Sequence, residues 1–178
     1  MAIKINKPWL SIFIGLAALS TILLGTTYAA VQQNYRQNAN DPQIQIAEDA
    51  ATALSDGATP ASLLPSTQID IARSLAPFIV VYDTDGTPVV TSGTLNGIAP
   101  SIPAGVFNYT RQHGEDRFTW QPQKGVRDAV VVASYKSKDS NGFVMAGRSL
   151  REVEQRESGL SIMVGLAWFA GIFLLAVI

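Results

Sequence analysis

Phe78 to Thr91 reads FIVVYDTDGTPVVT, two short strands joined by a tight polar turn. Phe78–Tyr82 is hydrophobic at every position, which predicts a central strand covered on both faces. Asp83-Thr84-Asp85-Gly86 is turn chemistry. The aspartate side chains can accept from nearby backbone N–H groups, and Gly86 takes positive φ without a Cβ penalty. Pro88-Val89-Val90 then runs back beside the first strand. The turn holds half of a calcium-loop pattern but lacks the distal Glu, so it is expected to be structural.

Downstream, Gly93 to Pro100 reads as a loop and Pro103 to Gln112 as a short helix, with Val106 and Phe107 inward and Gly114 at its end. Three strands follow. Arg117–Gln121 alternates, placing Phe118 and Trp120 on one face. Residues 121–125 form a turn, and Arg127–Tyr135 is a strong strand centred on Val130-Val131-Val132. Residues 138–142 are expected to turn again, with Asn141-Gly142 as the hairpin signal. Phe143–Arg148 is the last strand.

Upstream, Asn40-Asp41-Pro42 predicts a helix break and restart, with Asp41 as N-cap and Pro42 at the first helical position. Ile46, Ala47, Ala50 and Leu54 share a helical face, and Gly57 stops it. Thr59-Pro60 begins a short turn around Leu63-Leu64. Ile69, Ala72 and Leu75 predict one more apolar helical face, closed before Pro77. All of these faces are expected to pack on the sheet.

The ends are of another kind. No charged residue lies between Pro8 and Tyr35, and residues 9–31 are long and apolar enough to cross a bilayer as a helix. Lys4 and Lys7 predict a cytoplasmic N-terminal tip, residues 1–8, by the positive-inside tendency. Trp9 and Tyr28 suit the two interfaces. A cleaved signal peptide, with a small-residue site near Thr27-Tyr28-Ala29, is the rival reading. The second apolar segment, 158–178, favours retention. Ser11/Gly15 and Ala167/Gly171 offer small-residue faces for helix contact. Ser149-Leu150-Arg151-Glu152 reads as a capping box, so the last strand should pass directly into the exit helix. Leu150, Val153, Leu160 and Val164 continue at near-heptad spacing, interrupted by Glu157.

Two such segments account for much of the 47% hydrophobic content of the 178 residues. Residues 31–157 hold 11 Lys/Arg and 14 Asp/Glu, a net of −3. No basic stripe points to nucleic acid. There is no cysteine, hence no disulfide framework, thiolate nucleophile or Cys-based metal site. His113 is the single histidine and is expected at a solvated helix end. No nucleophile elbow or phosphate-binding Gly-rich loop is present. Neither an enzyme nor a cofactor or metal site is expected.

Helices, two strands, a helix, three antiparallel strands and an exit helix follow in that order. With FIVVYDTDG, the FTW strand, GVRDAVVVAS and GFVMAGRSLREVE, this resembles the extracytoplasmic PAS-like (Cache-type) sensor domain of two-transmembrane-helix bacterial receptors. The likeness covers roughly residues 41–157. It implies an α+β fold: a PAS-like antiparallel five-stranded sheet with covering helices, at residues 32–157, flanked by two transmembrane helices. It also implies a bacterial plasma membrane, an extracytoplasmic central domain and parallel homodimers.

By the same resemblance a small-molecule pocket lies between sheet and helices. Alternation puts Arg127 on a face with Ala129, Val131 and Tyr135. Trp120 could supply an apolar or cation-binding wall. Arg148 could meet an anion or a nearby acid, and an arginine fork suits a carboxylate. Trp120, Arg127, Tyr135 and Arg148 are therefore the candidate ligand-binding residues. The expected function is sensory: ligand or partner binding outside the membrane, transmitted through the exit helix. The alternative is a non-catalytic accessory or scaffold subunit of a membrane complex, its pocket filled by its own side chains.

Overall fold

The computed structural model describes residues 7–138 and 140–177, the side chains of residues 7, 36 and 38–41 excepted. The expectations for Lys4 and for the side chain of Asp41 lie outside these residues. In chain order the elements are α1 (Lys7–Ser55), a 3-10 turn (Pro60–Leu63), β1 (Ile69–Asp70), β2 (Phe78–Tyr82), β3 (Pro88–Thr91) and β4 (Gly93–Thr94). α2 (Ala104–His113), β5 (Glu115–Gln123), β6 (Val126–Lys136), β7 (Asn141–Ser149) and α3 (Arg151–Val177) follow. The chain divides into two units. One is Asn38–Glu152; the other joins Met1–Gln37 to Val153–Ile178.

The first unit is a mixed α+β domain built on a five-stranded antiparallel sheet of order β3-β2-β7-β6-β5. The β2–β3 hairpin forms as its sequence requires. Asp83 Oδ1 accepts from the N–H groups of Asp85 (2.9 Å) and Thr87 (2.8 Å), and Gly86 has φ +84°. Gly86 also abuts the Phe107 ring, and a Cβ there would come within 2.6 Å of it. Strand alternation gives the sheet two covered faces. One presents Phe78, Val80, Tyr82, Trp120, Val130, Val132, Phe143 and Met145, and Phe107 of α2 packs on it. The other presents Val81, Val131, Ala133, Tyr135, Val144 and Ala146 to Ala47, Ala50, Ala51 and Leu54 of α1. β2 is therefore buried on both sides, as its composition demands.

Four local expectations are corrected. First, α1 is unbroken, with Pro42 inside it. Proline removes one helical hydrogen bond and costs about 3 kcal/mol in a helix interior. The helix-forming residues on both sides, and the seat of Ala47–Leu54 on the sheet, offset that loss. Second, Ile69–Leu75 is not helical. β1 pairs in parallel with β4, and Asp70 Oδ1 closes a turn onto the Ala72 N–H at 3.0 Å. A seven-residue helix lacks the length to outcompete these contacts. Third, Asn141 and Gly142 lie in β7, opposite Lys136 and Tyr135, and the Ser137 N–H donates to the Ser140 carbonyl at 2.8 Å just before it. Gly142 is needed for packing, since a Cβ there would collide with the Tyr82 carbonyl oxygen. Fourth, Ser149 Oγ accepts from the Arg151 N–H at 3.3 Å, while the Glu152 carboxylate lies 3.9 Å from Arg148 Nη2. The capping box is displaced because Ser149 still belongs to β7.

The second unit pairs two helical stretches long and apolar enough to cross a membrane, Pro8–Tyr35 and Arg151–Val177. Half-buried positions on α1 include Phe13, Ala17, Ser20, Leu24, Tyr28, Val31 and Tyr35; on α3 they include Val153, Glu157, Leu160, Val164, Trp168, Gly171 and Leu175. Both seams follow the same 4-3-4-4-3-4 spacing, that of helices packed side by side. The Tyr28 hydroxyl meets Ser161 Oγ at 2.9 Å, and Trp168 Nε1 donates to Thr21 Oγ1 at 2.8 Å. One helix ascends as the other descends, so the pair is antiparallel. Ser11, Gly15 and Ala167 are exposed rather than in the seam. Interlocking residues, Gly171 among them, and the hydrogen bonds of Tyr28 and Trp168 contribute to the seam.

Candidate functional site

The structure divides the four sequence-derived site residues between the two faces of the sheet. Trp120 lies on the α2 face, buried in the core with Val130. Tyr135 lies on the α1 face, at the end of β6 near the β6–β7 turn. Arg127 is exposed at the opposite end of β6. Arg148 sits near that same end, on β7, with Nε donating to the Leu75 carbonyl at 3.3 Å. Arg127 and Arg148 are thus brought to one end of the sheet, Tyr135 to the other, and Trp120 to the reverse side.

A groove of about 460 Å³ opens where α2 ends beside the β6–β7 hairpin. Tyr135 lines it together with Arg111, Ser134, Lys136, Asn141 and Phe143. Arg111 comes from the last turn of α2. Its Nη1 donates to Asn108 Oδ1, one helical turn back, at 2.9 Å. Its Nη2 donates to the Thr84 carbonyl, also at 2.9 Å, so the β2–β3 turn positions it. The guanidinium carbon stands 5.3 Å from the centre of the Phe143 ring, within cation–π range. Three contacts therefore fix the guanidinium, and among the described residues its remaining N–H groups meet no acceptor. Lys136 brings a second cation, and Asn141 an amide. No carboxylate is found among the described lining residues. Two cations beside an aromatic ring suit an anion with an apolar body, and the arginine fork matches a carboxylate.

The other end of the α2 face carries a different chemistry. Asp128 is fully buried, and among the described residues neither carboxylate oxygen has a hydrogen-bond partner. It stands opposite Trp120 on one side and Ser149 on the other. Burial pushes its pKa up to about 6, because the charged form loses water and gains nothing in return. Tyr82 is held neutral by the same cause, with its hydroxyl donating to the Pro100 carbonyl at 2.9 Å. His113 is exposed at the end of α2, stacked on Tyr109.

Sequence reasoning passed over both Arg111 and Asp128. For Asp128 a signal existed: an aspartate inside the apolar run GVRDAVVVAS, on the inward alternation of that strand. For Arg111 it did not, since its partners Thr84 and Phe143 are 27 and 32 residues away in sequence. No family model matches the chain, and no curated protein matches it.

Proposed function

We propose that this chain is a membrane-anchored sensory protein. Its sheet domain, of the extracytoplasmic PAS-like Cache type, binds a small organic anion and passes its state through α3. The observation that carries the reading is the path of β7. It is the middle strand of the five, hydrogen-bonded to β2 and β6, and only Leu150 separates it from α3. A shift in β7 has no loop in which to dissipate. The strand order and the two flanking apolar helices support the PAS-like assignment. The anion groove touches β7 at its start, through Asn141, Gly142 and Phe143. By the charges of Lys4 and Lys7, the N-terminus faces the cytoplasm of a bacterial cell and the sheet domain lies outside. A homodimer or a membrane partner subunit then receives the signal.

The test is a thermal-shift screen of the full chain in lipid nanodiscs against carboxylates, inorganic phosphate, amino acids and amines. A carboxylate at 100 times its dissociation constant adds about 2.7 kcal/mol and raises the melting temperature by several degrees. Arg111→Met abolishes that rise. A rise with amines alone, or one indifferent to Arg111→Met, rejects the groove.

A second reading is favoured by the packing of the α2 face. Tyr82, Phe107 and Phe143 meet with ring centres 5.0–5.1 Å apart, so the middle of that face is filled by the chain itself. This suits an accessory or scaffold subunit that docks a membrane partner. No member of the panel then stabilises the chain, and the partner co-purifies with wild type and Arg111→Met alike.

A further inference from the structure

Asp128 occupies a weak point of the sheet. On one side the β5–β6 ladder runs in register up to the pair Trp120–Asp128, then shifts before resuming at Gln123–Val126. On the other side the pair Asp128–Ser149 is the last of the β6–β7 ladder. One residue further, the Leu150 N–H donates to the Arg127 carbonyl at 2.8 Å, and α3 begins. The only fully buried carboxylate among the described residues therefore lies beside the strand end that becomes the exit helix.

We propose that Asp128 is a proton-operated switch acting on the junction between β7 and α3. Protonated, the side chain is neutral and fits its apolar surroundings. Ionised, it is a buried charge without a partner, which is costly. The nearest relief is the Ser149 hydroxyl or water admitted at the two ladder ends. Either one disturbs the Ser149–Arg151 contact that starts α3. The state of one proton thus sets how the last turn of strand is seated.

Among the described residues, charged neighbours do not supply another relief; on β7, Arg148 stands opposite Ala129 and so lies on the other face of the sheet. On β5, Asp116 shares the face but stands opposite Val132, four residues along, roughly 13 Å away. On α2, Arg111 lies in the groove at the opposite end of β6, and His113 is exposed. On β2, Tyr82 is neutral and bonded to Pro100. In the turn after β1, Arg73 pairs with Asp70 at 3.6 Å and both are exposed. Arg151, at the start of α3, donates to the Arg73 carbonyl at 2.8 Å. Lys124, in the β5–β6 turn, and Lys136, at the far end of β6, are exposed. Burial alone raises the Asp128 pKa.

This inference is separate from the groove, which lies at the opposite end of β6, but shares with the proposed function the idea that α3 carries the output. The test uses the full chain in nanodiscs. The protein has no cysteine, so Gln155→Cys, at an exposed position of α3, accepts a single nitroxide label. The label's spectrum is expected to change between about pH 8 and about pH 4.5, with a midpoint near 6. Adding Asp128→Asn holds the acid spectrum throughout, and Arg111→Met leaves the transition in place. An unchanging spectrum, or the same transition in Asp128→Asn, overturns the switch. Loss of the transition in Arg111→Met also overturns it, by assigning the response to the groove. If Asp128→Asn does not fold, infrared titration of the wild-type carboxyl groups decides. A buried carboxyl titrating together with the label supports the switch; none titrating above the ordinary carboxylate range rejects it.

Discussion

On the α2 face the sheet presents Phe78, Tyr82, Phe143, Trp120 and Met145; on the α1 face it presents Val81, Val131, Ala133, Val144 and Ala146. The difference follows from what covers each. The segment of α1 from Gln43 to Leu54 offers a stripe of alanines, so helix and sheet approach closely over small side chains. α2 has only ten residues, and Ile71 and Ile102 from loops help complete its side. A thin, irregular cover leaves space that only large rings fill. Among the described residues each face also buries polar atoms without a partner. On the α1 side it is Gln43 Oε1, an amide; on the α2 side they are the Thr110 hydroxyl and the Asp128 carboxylate. An unpaired amide costs far less than an unpaired charge, so the α2 face is where the fold is under tension.

The largest expected effect comes from emptying the ring cluster. Phe107→Ala removes the ring that meets Tyr82, Phe143 and Gly86, and the backbone of a short helix cannot collapse into the space. Equilibrium denaturation should report a loss of about 3–5 kcal/mol. Phe107→Leu should recover much of it. A loss below 1 kcal/mol would mean that α2 is a loose flap rather than the lid of a core.

Asp128→Asn tests the same face in the opposite sense. The folded-state pKa of Asp128 is raised from 3.8 to about 6. Between those values the native chain binds more protons than the unfolded one, so stability falls as pH rises through this window. The full loss, above about pH 7, is about 3 kcal/mol. Asp128→Asn should therefore be more stable than wild type at neutral pH, equal or weaker near pH 4, and flatter in between. Parallel stability curves for the two proteins would show that the carboxylate finds water in solution.

The hairpin at Asp83–Gly86, the alternation of Phe118 and Trp120 and the end of α2 at Gly114 were legible in the sequence, because each is set by neighbours a few residues apart. Errors fell where distant contacts decide. Ile69–Leu75 has helical spacing, yet the β4 backbone captures it as a strand. Asn141-Gly142 has turn chemistry, yet Gly142 serves the close approach of Tyr82. The groove was hidden for the same reason, since Arg111, Thr84 and Phe143 meet only through the folded sheet. Of the expected site residues, Tyr135 lines that groove. Trp120 stands directly opposite Asp128, the aspartate that the alternation of an apolar strand turns inward.

The α1 face should be sensitive to excess volume rather than to cavities. Ala47 is fully buried against the sheet. Ala47→Leu forces several carbons into that contact and should destabilise by about 1–3 kcal/mol. A neutral result would mean that α1 lies further from the sheet than its alanines imply, and the contrast between the faces would weaken.

Charge should contribute least to that seat. Glu48 follows Ala47 and reaches the strand below it, with its carboxylate 3.8 Å from Arg117 Nη2, both side chains more than half exposed. Arg117 also pairs with Glu115 on its own strand, so it keeps a carboxylate when Glu48 is removed. Exposed pairs contribute about 0.2–1 kcal/mol, and salt screens them. Glu48→Gln should therefore shift stability by less than about 0.5 kcal/mol, and the shift should vanish at high salt. The contrast with Ala47→Leu, at the adjacent position, separates the two ways a helix can be held on a sheet. If Glu48→Gln were the more damaging of the pair, the alanine stripe would be an incidental feature of α1 and the ion pair its true anchor.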